Sequence, residues 1–243
     1  MFEALLSGKG TPIPPETGDV IFYVDMATLT ETIRGHAVSV ANGAVVDNTF
    51  LIDGKPTLKM PTAGGTTGSR LRVSLSPALD LSGTNWTIEW STYYVTAPGT
   101  WANDFYLTES TYYKGVMSRF ADSGWNGLMM FADNSTNNVS TARVNLSPGA
   151  LAGQLHRYAI TCRAGRIRYY INGQLVGMRA GTNSNPGAFG EYFDVQTVNN
   201  FANLTQLNIG GFAGAAVNTS RYIGNVRISN FVRYNGNYTP VPF

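Results

Sequence analysis

The side chains in this 243-residue chain that could do chemistry are few, and most stand apart from one another. Glu191 and Asp194, in "EYFDVQ", come nearest to a pair of carboxylates, the arrangement that hydrolyses a glycosidic bond when both acids face one cleft. On an extended strand, residues three apart point to opposite faces, so this pair does not assemble such a site. His36 and His156 are the only histidines, and neither has a cysteine or an acidic cluster beside it, so no zinc site is supported. Asp104 in "WANDF" and Asp133 in "FADNSTNN" are of the type that binds calcium from loops. They are also the ordinary residues of tight turns, which is the first reading, with calcium second. No other metal or cofactor is expected. No Gly-x-Ser-x-Gly elbow, phosphate loop or dinucleotide fingerprint occurs. The expectation is a protein that is not an enzyme.

Binding chemistry is better supplied. Segments 96–114 and 181–200 are long and rich in aromatic residues and turn formers, and long aromatic loops on a rigid scaffold commonly carry recognition. Rings stack on the C–H faces of sugars, while Asn, Asp and Arg bond the hydroxyls. Trp101, Asp104, Tyr112, Tyr113, Trp125 and Tyr192 are therefore the candidates for holding a glycan or a partner, with Arg163, Arg166 and Arg168 available to an anionic one. The competing expectation is that Trp101, Phe105, Tyr106, Phe189 and Tyr192 fold back to cap the ends of the scaffold.

The elements that must position these groups read as strands. "HRYAITCRAGRIRYYINGQLVGMR", residues 156–179, alternates apolar and polar residues and contains two turn pairs. Asn172-Gly173 suits a type I′ hairpin, which needs positive φ at both central positions. Counting outward pairs Ile171 with Gln174, Tyr169 with Val176 and Ile167 with Met178. A second turn at Ala164-Gly165 pairs Cys162 with Ile167, Ile160 with Tyr169 and Tyr158 with Ile171. One face is then apolar and includes Cys162, whose expected job is packing. The other carries Thr161, Arg163, Arg166, Arg168, Tyr170 and Arg179, read first as a solvated or subunit-facing surface and second as an anionic-ligand site.

Further short strands separated by Gly, Asn, Asp and Pro turns ("VIFYVD", "AVSV", "AVV", "LRVSLS", "WTIEWSTYYV", "GVMSRF", "GLMMFAD", "ARVNL", "LTQLNIGG", "YIGNVRISNFV") predict an all-β antiparallel β-sandwich. The first strand should lie beside the last. Residues 1–18 read as an extended N-terminal arm stiffened by Pro12, Pro14 and Pro15, with Phe2, Leu5 and Leu6 as an apolar hook for attachment or simply a frayed end. Residues 19–243 form one domain.

Composition narrows the classes. A formal net charge of +2 with no long basic run argues against nucleic acid, and no segment approaches the roughly 20 apolar residues of a membrane span. With one cysteine, no disulfide forms within the chain, as in proteins assembled in a reducing compartment. Thirteen arginines among 17 basic residues favour fixed contacts with carboxylates, phosphates or sugars. Exposed aromatic loops favour a homo-oligomer or a multi-subunit assembly.

The order "DVIFYVDM", "AVSVANGAVVDN", "KPTLKMP", "LDLSGTNWTIEWSTYY", "QLHRYAITCRAGRIRYYINGQLVG", "LNIGG" and "RYIGNVRISNFVRYNGNYTPVP" resembles the concanavalin A-like lectin/glucanase fold of the laminin G type. It is most similar to the version found in tailed-phage virion proteins, with "VRYNGNYTPVP" the most specific piece. The resemblance implies a jelly roll of two curved sheets whose concave face or rim loops bind carbohydrate or protein. It also implies a virion protein made in the host cytoplasm, attached to other virion proteins as a head decoration or a tail or fibre component, and able to touch host surface polysaccharide. The glucanases of that fold carry Glu-x-Asp and a second Glu on one strand; this chain has no such run, so their activity is not implied.

Overall fold

The computed structural model describes residues 18–61, 69–83, 85–98, 103–109, 115–120, 128–133, 140–144, 148–182, 186–194, 201–210 and 220–243. In chain order the strands are β1 (Val20–Asp25), β2 (Thr30–Glu31), β3 (Ala37–Ala41), β4 (Val45–Ile52), β5 (Lys55–Met60), β6 (Arg70–Leu79) and β7 (Asn85–Tyr94). Next come β8 (Asn103–Thr108), β9 (Gly115–Phe120), β10 (Leu128–Asp133) and β11 (Ser140–Val144), then a 3-10 turn at Pro148–Leu151. The remainder are β12 (Leu155–Arg163), β13 (Arg166–Ile171), β14 (Gln174–Leu175), β15 (Met178–Thr182), β16 (Pro186–Gly190), β17 (Phe193–Asp194), β18 (Leu204–Gly210) and β19 (Arg221–Ser229).

These strands build two antiparallel sheets. The first runs β14-β13-β12-β7-β19-β1-β2, with β5 on β19, β4 on β5 and β17 on β13. The second runs β16-β15-β11-β10-β9-β8-β18-β6-β3. The first strand lies against the last, as the pattern predicts, with Phe22 opposite Ile228 and Val24 opposite Val226.

Period-two alternation decides what lies between the sheets. From β7, Trp86, Ile88 and Trp90 point inward and are fully buried, as are Tyr158, Ile160 and Cys162 from β12 and Ile167 and Tyr169 from β13. Trp90 is the centre of this layer. Its ring stacks at 5.0 Å on Tyr158 of the neighbouring strand and at 5.0 Å on Phe105 of the facing sheet. Burial pushes the Cys162 thiol up to about 11, so at neutral pH it is an apolar packing group, as its place in the pattern requires.

The ribbon obeys most of its predicted register. Both turns have the positive φ pairs that hairpins of this hand need: Ala164 +49° and Gly165 +78°, Asn172 +51° and Gly173 +78°. Cys162 pairs with Ile167, Ile160 with Tyr169, Tyr158 with Ile171, and Ile171 with Gln174. The Val176 N–H still donates to the Tyr169 carbonyl. Beyond that the expectation fails. Ile167 pairs with Phe193, and Met178 leaves for the second sheet, where it faces Val144. The break follows Gly177, where the chain crosses from one layer to the other.

At the other edge, Glu31 fixes the chain reversal after β2. Its buried carboxylate accepts from the backbone N–H groups of Tyr23, Ile33, Arg34 and His36. Burial alone would raise its pKa, but these four donors outweigh burial and hold it below 4.5. A depressed folded-state pKa contributes stability that is complete above the unfolded value, about 4.3, and is lost as pH falls through the lower folded value. Glu31→Gln is expected to cost about 1.5–3 kcal/mol at pH 7 and to flatten the acid limb below about pH 4. Thermal melts by circular dichroism across that range check both.

Candidate functional site

The outward face of the first sheet is polar by sequence, and the fold closes most of it with the protein's own C-terminus. After β19, residues 230–243 cross β7, β12 and β13 as a strap. Thr87 Oγ1 donates to the Phe231 carbonyl (2.8 Å) and accepts from the Arg233 N–H (3.0 Å). Tyr170 Oη donates to the Tyr234 carbonyl (3.2 Å). Tyr238 N–H donates to the Gly173 carbonyl (2.8 Å), and Leu175 N–H to Asn237 Oδ1 (2.8 Å). Gly173 is required here: a Cβ would collide with the Tyr238 carbonyl oxygen. The Tyr234 and Tyr238 rings stack at 3.5 Å, with the Tyr170 ring edge-on to both.

Under the strap sits Glu89, opposite Arg227 in the sheet register. Arg227 binds it through two bonds, Nε to Oε2 at 2.8 Å and Nη2 to Oε1 at 2.9 Å. Arg233 Nε lies 3.3 Å from Oε2, and Tyr234 Oη donates to Oε1 at 2.6 Å. Burial pulls the Arg227 pKa down, but the bonds and charge of Glu89 outweigh it and hold it above the ordinary value. Burial and then the Glu89 charge push Tyr234 well above the phenol range, so it stays a donor. Phe243 closes the network, its ring 4.1 Å from the Arg227 guanidinium carbon. Both oxygens of the Glu89 carboxylate are engaged by two guanidinium groups and a phenol, which leaves neither free to act as acid or nucleophile. Its one sequence trace is a lone acid on the polar phase of "WTIEW"; register and strap had to be known before Arg227, Arg233 and Tyr234 could be assigned to it.

The predicted solvated face is corrected accordingly. Thr161 and Tyr170 are buried, and Arg163 and Arg168 reach the strap at Asn235, Nη1 to Oδ1 and Nη1 to the carbonyl, both 3.2 Å. Arg179 is not part of the cluster, because β15 belongs to the second sheet, where it faces Arg143 and Phe189. What stays exposed is a corner. Arg166 is exposed, and its guanidinium carbon lies 4.5 Å from the ring centre of Tyr192, itself 37% exposed. β17 brings them together by pairing Arg166 with Asp194. Segment 181–200, expected as a loop, thus contains β16 and β17, and 96–114 contains β8.

Trp101, Tyr112, Tyr113 and Trp125 lie outside the described residues, as do Phe2, Leu5 and Leu6. Asp104 stands in β8, at an irregularity of its pairing with β9, and Asp133 ends β10 opposite Gly115. Ser118 of β9 meets the Tyr169 hydroxyl of β13 across the sandwich at 3.4 Å. Among the described residues no group of three or more His, Cys, Asp or Glu could hold a metal ion, and no helix is long and apolar enough to cross a membrane.

No protein-family model matches the sequence, and no curated protein matches it. Solved structures do match the fold. The binding domain of botulinum neurotoxin DC in complex with rat synaptotagmin II superposes with TM-score 0.64 at 12% identity, over 88% of this chain and 48% of that one. The serotype C1 binding domain gives 0.62 at 11% identity, over 89% and 49%. The neurotoxin DC domain in complex with SialylT gives 0.62 at 12%, over 88% and 48%. The chain spans about half the length of these binding domains, and what it shares with that half is the two-sheet β-sandwich.

Proposed function

We propose that this chain is a non-catalytic structural protein of a tailed-phage virion, a head decoration or a tail or fibre component, fastened by residues 1–18 to other virion proteins and displaying its β-sandwich. The observation that carries this reading is the strap. Most of the polar outward face of the first sheet is covered by the strap of residues 230–243 over the ion-paired Glu89 centre, which makes the sandwich a rigid body for display. The laminin G-like order of segments supplies the virion context. In a co-sedimentation assay the full chain is expected to pellet with particles lacking it. A chain without residues 1–18 should stay in solution with an unchanged β-sheet spectrum and melting point. Equal pelleting of both removes the arm's role.

A second reading, compatible with the first, has the exposed corner of Arg166 and Tyr192 touch an acidic glycan of the host surface. A cation held over a tyrosine face presents both a stacking surface and donors for a carboxylate. Solved structures with this fold include the neurotoxin DC binding domain in complex with SialylT and one of botulinum neurotoxin type C, whose cell entry depends on interaction with two ganglioside molecules. On a glycan array, Arg166→Ala is expected to weaken binding to those acidic sugars that this corner holds. Retained binding rejects the corner.

A further inference from the structure

The outward face of the first sheet is not closed everywhere. At the end away from the strap it carries three half-buried rings, Phe50, Tyr93 and Tyr222. Tyr93 and Tyr222 are directly opposite in the pairing of β7 with β19. Phe50 comes from a break in β4 between Asp47 and Leu51. Asp47 builds that break: its Oδ1 accepts from the Thr49 N–H (2.8 Å), the Thr49 hydroxyl (2.6 Å) and the Phe50 N–H (3.1 Å). Thr57 Oγ1 then donates to the Phe50 carbonyl at 2.8 Å. The result lays Phe50 parallel to Tyr222, centroids 4.1 Å apart, and 4.8 Å from Tyr93.

Polar groups surround the rings. Lys59 pairs with Tyr222, and its ammonium lies 5.9 Å from that ring's centre. Arg157 is ion-paired with Asp53 at the tip of the β4–β5 hairpin, and its buried Nε–H has no acceptor. Ile52, beside that tip, packs over Gly224, so the hairpin stands over the sheet next to the rings.

We propose that Phe50, Tyr93 and Tyr222 form a stacking subsite for one pyranose ring of a surface glycan, with Lys59 and Arg157 bonding its hydroxyl or carboxylate groups. A pyranose has an apolar C–H face and a polar rim, and this surface has the same arrangement. Three rings are too little for a stable protein interface, which covers about 800 Å² on each partner. The inference deepens the glycan reading above but places the sugar on other residues, so the two fail separately.

The test is a glycan array, followed by titration of the strongest hit, with four variants of the full chain. Tyr222→Ala should weaken binding about tenfold, Tyr222→Phe should keep it, and Arg166→Ala should leave this subsite unaffected. Lys59→Gln, on a half-buried side chain at the edge of the rings, should weaken binding with an unchanged melting point, which keeps the test valid if Tyr222→Ala does not fold. Binding lost in Arg166→Ala but intact in Tyr222→Ala and Lys59→Gln overturns the subsite and leaves the corner. An array with no bound glycan overturns both. Capture of a particle protein that Tyr222→Ala abolishes, with no glycan bound, overturns the sugar in favour of a protein partner.

Discussion

Glu89→Ala should lose about 3–5 kcal/mol of folding stability, the range for removing one partner of a buried ion pair. Glu89 is 3% exposed and is the only carboxylate that meets Arg227 and Arg233 in the described network. Without it two guanidinium groups remain partly buried and repel each other; burial and then the Arg227 charge already depress Arg233. The strap also loses the Tyr234 hydroxyl bond, so residues 230–243 should become sensitive to limited proteolysis before the sandwich itself unfolds. Denaturant midpoints and a digestion time course measure the two effects. The double replacement Glu89→Met with Arg227→Met tests the cause. Replacing a buried pair with apolar groups of similar volume is often close to neutral, so it should recover much of the loss, limited by the Arg233 charge left behind. A single variant as stable as the parent would show that the network is not a keystone.

Trp90→Ala is the second large effect, about 3–5 kcal/mol for truncating a buried aromatic residue. Its ring is held between Phe105 of one sheet and Tyr158 of the other, with Tyr169 edge-on at 6.4 Å. Neighbours fixed in two different sheets collapse little into the space left behind, and this sets the cost near the top of the range. Trp90→Phe keeps a ring in the stack and should cost clearly less. Equal losses for the two variants would mean that a ring retained in this stack contributes nothing to stability.

Local rules made much of this fold legible. Period-two alternation identified "WTIEW" and "HRYAITCRAGRIRYYI" as one-sided strands, and turn pairs with positive φ fixed the hairpin register residue by residue. The same rule was available at Asp53-Gly54, φ +55° and +76°, where it marks the β4–β5 hairpin that stands beside the Phe50 rings. The register prediction failed after Val176. Nothing local says that a chain leaves its sheet, and alternation continues unchanged through Met178 and Arg179 into the other layer. The candidate site was legible in part. Arg166 and Tyr192 were both nominated, but their meeting depends on β17, a two-residue strand too short to leave a pattern.

By itself the sequence determined the one-sided strands such as β7, β12 and β13, their inward faces and the packing role of Cys162, because these follow from the period of the backbone and the chemistry of turns. Only the tertiary structure decided that the polar side is covered rather than solvated. That outcome needs residues far apart in the chain to meet: Glu89 with Tyr234, Tyr170 with the strap, and Phe50 with Tyr222. Such pairings carry no local periodicity. They are selected by the joint burial of charge, hydroxyl and ring in one place.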